Sequence, residues 1–258
     1  DEKLKGMPYL YKTESTVTDS SNQMISSSAS VLVHPAKYYL GVSQIKNSGG
    51  FPKKGDTVKF DLVGVTPEGN APSASDVMNK SKVKVELLVE EWNTVQQVGV
   101  AGEIHTRYER NIVTEKEYDL EYTPSLTPKE ISVSPKKGGS YILRVSSEDV
   151  LGREVITEKR FYVLSSDWSW FDRDNSEEIK LTADRKIYKN GETANILLNS
   201  PLPKGRYLVT VEREKIFDSY VLELDSSATQ IPVKITADYC PQVFVTVSSY
   251  TVRTGKPV

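Results

Sequence analysis

Apolar and polar positions alternate with period two along much of the chain, as in Val58, Phe60, Leu62; Val83, Val85, Leu87; Ile231, Val233, Ile235; and Val243, Val245, Val247. Successive side chains of an extended strand point to opposite faces, so each run predicts a half-buried β-strand, and the β-branched and aromatic enrichment agrees. Turn formers at 52–55, 67–70, 135–139 and 202–205 separate the runs. No segment keeps a helical period for three turns. The predicted fold class is all-β: tandem antiparallel β-sandwich modules.

Two internal similarities set the module boundaries. Residues 16–33 and 146–163 align with Asp19 on Asp149, Asn22 on Gly152, Ile25 on Val155, Val31 on Phe161 and Val33 on Val163, and Tyr11 falls on Tyr141. Each reads as a closing hairpin whose turn is opened by Asp and closed by Asn or Gly, the residues that tolerate a left-handed backbone. Residues 51–62 and 188–198 share an aromatic residue, a Gly turn, an acidic residue and Thr before an alternating strand, which reads as a module start. The expected organisation is therefore the C-terminal part of a sandwich (1–35), a complete sandwich (36–165), an aromatic connector (166–178) and the front of a further sandwich (179–258). The connector carries Trp168, Trp170 and Phe171, whose rings favour packing at a module junction over a free linker.

A length of 258 residues suits two or three cores, and 33 basic against 35 acidic residues leave a formal charge of -2. No block of like charge is long enough to attract nucleic acid or an anionic membrane, and no apolar run approaches the roughly 20 residues of a membrane span. One cysteine, Cys240, makes no intrachain disulfide, and two histidines provide no Cys/His cluster at metal-ligand spacing. No cofactor is implied. Opening on Asp1 rather than Met, the sequence fits a removed leader or a piece of a longer exported protein.

Tyr38-Tyr-Leu-Gly-Val42 after His34-Pro35, the closing Asp149-Val-Leu-Gly-Arg153 with Phe161-Tyr-Val163, and the long run from Leu181 to Pro201 together resemble bacterial α2-macroglobulins. Tyr207 to Arg213 and Asp238 to Val245 extend the resemblance, whose strongest part, about 179 to 250, looks like the start of the bait-region domain. The resemblance implies serial macroglobulin-like sandwiches in a protein of the bacterial envelope (periplasmic or surface, with a lipid anchor as one option) or secreted. Its implied partners are host or competitor proteases, entrapped after they cut a flexible bait, and neighbouring macroglobulin-like domains. Its thioester needs a Cys-x-Glu-Gln run; Cys240 is followed by Pro241-Gln242-Val243, so it has no role as thioester nucleophile. The alternative class is a cell-surface adhesin or envelope stalk of immunoglobulin-like modules; an accessory module of a carbohydrate-active enzyme is a third.

No enzyme chemistry emerges from the remaining residues. Cys240 reads as a small buried hydrophobe beside a strand. His34 and His105 lack a neighbouring nucleophile or a second metal-spaced histidine and read as solvated or capping. Glu90-Glu91 and Glu177-Glu178 cannot converge on a substrate, because neighbours on a strand face opposite ways; solvated charge is the expectation. Trp92, Trp168, Trp170, Tyr38 and Tyr39 are read as core and junction aromatics rather than a carbohydrate-binding strip. The one candidate site is the tail from Thr251 to Val258, an approach to a bait with Arg253 and Lys256 as cleavage points; Pro257 makes Lys256 the poorer trypsin-type site. An ordinary strand or interdomain loop stands beside that reading, and the 70–82 loop is a competing exposed segment.

Overall fold

The structure, a computed structural model, describes residues 6–45, 49–78, 82–98, 104–165, 178–202, 204–226 and 228–250. The described residues contain fifteen strands in five antiparallel sheets, with one 3-10 turn at Ala237–Tyr239. The all-β expectation holds.

Strands β1 (Tyr9–Thr18) and β2 (Met24–Val33) form a hairpin on their own, exposed on both faces. Next come β3 (Tyr39–Ile45), β4 (Val58–Val65) and β7 (Lys129–Val133), in the sheet order β3-β4-β7. The facing sheet, ordered β6-β5-β8-β9, contains β5 (Lys82–Val98), β6 (Ile104–Glu121), β8 (Gly139–Glu148) and β9 (Glu154–Val163). Their alternate residues meet in one core that includes Leu62, Val85, Ile131, Tyr141 and Val163, and the Phe60 ring crosses to Phe161 edge-on at 5.2 Å. Burying this face of each sheet supplies the driving force, at about 25 cal/mol for each Å² of apolar surface.

A second sandwich faces β10 (Lys180–Ala183), β11 (Thr193–Asn199) and β14 (Ala228–Lys234) against β12 (Gly205–Glu212), β13 (Ile216–Leu224) and β15 (Phe244–Ser249). Its sheet orders are β10-β11-β14 and β13-β12-β15, and Leu198, Tyr207, Val209 and Ile231 fill its core.

The two internal similarities correspond to shared geometry. Tyr11 pairs with Val31 as Tyr141 pairs with Phe161. In both turns the Asp carboxylate accepts backbone N–H groups two and four residues on, at 2.8 and 2.9 Å for Asp19 and 2.9 and 3.0 Å for Asp149. Asn22 (φ 63) and Gly152 (φ 70) supply the left-handed step. What differs is cover: Asp149 is fully buried, whereas the apolar face of β1-β2, with Tyr11, Ile25 and Val31, is exposed.

At the turns before β4 and β11, Gly55 and Gly191 both have φ 87, and each N–H donates at 3.0 Å to a carbonyl just past a strand end, at Pro135 after β7 and Ile235 after β14. The following strands then pair Val58 with Val133 and Ala194 with Val233. The opening aromatics are offset: counted back from these glycines, Tyr188 falls on Pro52 rather than on Phe51. Phe51 instead packs edge-on to Tyr162 at 6.4 Å.

One feature has no counterpart in the alternating pattern. The pairing of β5 with β8 stops at Val89↔Tyr141, while β5 and β6 continue together from Glu90↔Ile112 to Val98↔Ile104. Nine further residue pairs at about 3.3 Å each make an arm about 30 Å long.

Candidate functional site

Between β10 and β15 the second sandwich opens into a groove of about 580 Å³. Leu181 from β10, Ile196 from β11, and Val243 and Val245 at β15 make its walls apolar. Tyr188 and Cys240 stand among its lining groups. The comparison with the first sandwich explains the opening. There β9 lies beyond β8 and closes toward β3, where the Thr157 hydroxyl donates to the Leu40 carbonyl at 2.5 Å. Among the described residues, the edge of β15 away from β12 pairs with no strand, and β10 has only β11. An unpaired edge beside an apolar trough has the shape that accepts an extended polypeptide, with main-chain hydrogen bonds along the edge and alternate side chains in the trough.

The mouth of the groove is polar. The Tyr188 hydroxyl donates to Asp184 Oδ1 at 2.5 Å and accepts the Arg185 N–H at 2.9 Å, while the Arg185 guanidinium lies 4.8 Å from the Tyr188 ring centre. Burial and the Asp184 carboxylate push the Tyr188 phenol up to about 12, so it stays a donor across the physiological range. Glu192 accepts the Lys189 N–H at 2.7 Å and Arg185 Nη1 at 3.1 Å, which together hold its carboxyl below the usual range and fix the 185–192 turn.

Cys240 corrects its sequence reading. It is exposed, not buried. It follows the Ala237–Tyr239 turn and precedes Pro241 through a cis peptide, so it lies in the irregular β14–β15 connection at the groove rim instead of on an inward strand position. Arg213 Nη1 donates to the Cys240 carbonyl at 2.6 Å and to the Gln242 carbonyl at 3.3 Å, holding that connection to the end of β12. Cys240 is accordingly expected to react fully with an aromatic disulfide reagent in the folded protein; a thiol that reacts only after denaturation would contradict this position.

Glu90 is a second correction. Glu90 and Glu91 do face opposite ways, but Glu90 is buried, its Oε1 holding Arg160 Nη2 at 2.7 Å and Arg110 Nη1 at 3.4 Å. A carboxylate buried at a sheet surface needs such partners. Glu91 takes Lys137 at 2.8 Å. His34 is half-buried, its Nδ1 2.7 Å from the Tyr39 hydroxyl, so it is partly solvated and partly engaged by that ring. Tyr38 is core, its hydroxyl 2.7 Å from Ser147 Oγ, and Trp92 is half-buried. The described part of the 70–82 loop is mostly exposed, as expected, but it is anchored at Val77, which is buried and bridges to Asp149, and Ser73 Oγ donates to Asp76 at 2.6 Å. The side chain of His105, and all of Trp168, Trp170, Glu177, Arg253 and Lys256, lie outside the described residues. Among the described residues no helix is long and apolar enough to cross a membrane, and no three His, Cys, Asp or Glu side chains are grouped to hold a metal.

Fold and groove together define a chain of tandem antiparallel β-sandwiches whose second sandwich presents an open, strand-lined trough. Among known proteins, the alpha-2-macroglobulin bait region domain is matched by residues 179–258. Over 257 residues, 98% of its length, the chain is 24% identical to an alpha-2-macroglobulin homolog of Nostoc sp.. It is also 24% identical over 250 residues, 90% of its length, to the alpha-2-macroglobulin of Xylella fastidiosa (strain 9a5c). In both cases it spans 13% of the relative's length. Among solved structures, the native conformation of Escherichia coli alpha-2-macroglobulin overlays with a TM-score of 0.41 at 17% identity, covering 96% of this chain and 16% of that one. The resemblance to bacterial α2-macroglobulins read from the residues is borne out.

Proposed function

We propose that the chain is scaffold from a bacterial α2-macroglobulin-like protease trap, comprising the end of one macroglobulin-like module (1–35), a whole one (36–165), a connector (166–178) and the front of the bait-region sandwich (179–258). The observation that carries this reading is the match of 179–258 to the bait region domain. In this reading the chain contributes no catalysis: proteases are its partners as attackers of the bait, the sandwiches position that bait, and the protein works outside the cytoplasm. The direction of the chain supports it. Strand β15 ends at Ser249, and Tyr250, the last described residue before the segment that carries Arg253 and Lys256, is 97% exposed. Proteases bind substrates as extended strands, which an exposed exit segment can supply and a buried strand cannot.

Brief trypsin treatment of the full-length protein, followed by N-terminal sequencing and denaturing gels, tests this. The earliest cut is expected after Arg253 or just beyond, with Lys256-Pro257 resistant, and a change in compactness or a covalent protease adduct is expected to follow. First cuts within β5–β6 while the tail stays intact, with no change of shape, would leave a passive envelope module.

A further inference from the structure

The first sandwich touches the second through the 49–51 loop, and the contact is built on a close backbone approach. Gly50 has φ +84, and a Cβ there would lie 2.4 Å from Gln230 Oε1 and 2.9 Å from Asn195 Cβ. Next to it the Phe51 N–H donates to Gln230 Oε1 at 3.1 Å. Behind this loop, Leu164 at the exit of β9 donates to Pro52 O at 2.7 Å and accepts from Lys54 N at 2.8 Å, so the loop is clamped to the first sandwich.

The bonds do not stop at Gln230. Gln230 Nε2 donates to Asn195 Oδ1 at 2.8 Å, and Asn195 Nδ2 donates to Asp184 Oδ2 at 3.4 Å. The Asn195 backbone N–H adds a bond to Asp184 Oδ1 at 3.0 Å. From the other side Tyr188 donates to that same oxygen, and Tyr188 lines the groove. The donor order is forced. A backbone N–H can only donate, so Gln230 must present its oxygen to Phe51 and its NH₂ to Asn195. Asn195 must then present its own NH₂ to a carboxylate, which only accepts. Every bond runs toward Asp184, and such chains polarise one another and respond as a unit.

We propose that this chain of hydrogen bonds is a relay, in which the arrangement of Tyr188 and Asp184 at the groove mouth sets how firmly the Gly50–Phe51 loop of the first sandwich docks on the second. A group entering the groove meets Tyr188; displacing its hydroxyl lets Asp184 turn, which releases Asn195 and then Gln230. Linkage makes the effect reciprocal: docking of the loop alters the groove's affinity by the same factor. The proposal does not depend on the tail being the first protease target, so either reading can fail alone.

Amide hydrogen exchange of the isotope-labelled 258-residue chain, read by NMR, tests the relay. Gln230→Leu removes the acceptor and sets the fully released exchange rate of the Phe51 amide. Tyr188→Phe is expected to accelerate that amide about three- to tenfold, with the Leu198 and Val209 core amides unchanged. In an Asn195→Ala background, where Gln230 is cut off from Asp184, Tyr188→Phe is expected to add nothing further. An unchanged Phe51 amide in Tyr188→Phe, equal acceleration in both backgrounds, or parallel acceleration of the core amides would each overturn the relay.

Discussion

Asp149→Ala is expected to destabilise the first sandwich by about 2–4 kcal/mol, because backbone N–H groups and a charged donor lose their buried acceptor. The Asp149 carboxylate is fully buried and accepts the N–H groups of Lys37, Leu151 and Arg153 at 3.1, 2.9 and 3.0 Å, with Arg153 Nη2 at 2.6 Å. It thus ties the entry of the sandwich, at Lys37, to the hairpin that closes it. Deleting it leaves the Arg153 guanidinium without its ion partner and three N–H groups without their acceptor. Asp19→Ala removes the corresponding turn bonds in the exposed hairpin, where water replaces them, and only a small change is expected. Denaturant titration of the two variants checks the contrast; equal losses would mean that burial is not what makes Asp149 strong.

The same residue sets an acid dependence. Burial pushes the Asp149 carboxyl up, but the Arg153 guanidinium and the N–H groups of Arg153, Lys37 and Leu151 outweigh it and hold the carboxyl below its ordinary value. Because the folded value lies below the unfolded one, near about 3.9, this stabilisation is complete above the unfolded value. It is lost as pH falls through the folded value. Asp149→Asn is expected to flatten the loss of stability of the first sandwich below about pH 4.

The second large effect is expected from Leu198→Ala. Leu198 is fully buried on β11 in a core with nine buried members among the described residues, against nineteen in the first sandwich. Removing it costs about 3–4 kcal/mol through lost burial and the cavity left behind, and the smaller core has fewer neighbours to collapse into the gap. For a domain of this size that loss lowers the melting temperature of the second sandwich by on the order of 12–30 °C. Calorimetry is expected to show the second sandwich melting as an early, separate transition in the variant. Ile187→Ala, at an 82% exposed position, serves as the control. If both sandwiches shift together, they unfold as one cooperative unit and the two cores are not independent.

Much of this architecture was legible because it rests on local rules. The alternation around Val58–Leu62 and Ile231–Ile235 reports which face is buried, and the paired turns at Asp19/Asp149 and Gly55/Gly191 report backbone conformations that few residues adopt. What escaped depends on tertiary context. Cys240 shares its composition with buried cysteines, but its exposure follows from an irregular connection outside the ladder. Glu90 looks like any strand-end charge until Arg160, distant in sequence, is brought beside it. The groove left no signal in the residues that line it, since Leu181 and Val245 would read the same with another strand laid against them. A comparison of strand number between the two modules, four in the sheet that contains β5 against three in the sheet that contains β12, is the signal that finds it.

The β5–β6 arm turns orientation into displacement. Strand β5 runs without interruption from the core positions Val83 and Val85 to Val98, so the arm is continuous with the sandwich's own interior. A tilt of only 10° at its base would carry a tip about 30 Å away through on the order of 5 Å. Whatever surface meets that tip therefore senses a small rotation of the sandwich as a shift wider than the spacing between neighbouring strands, like a pointer on a dial.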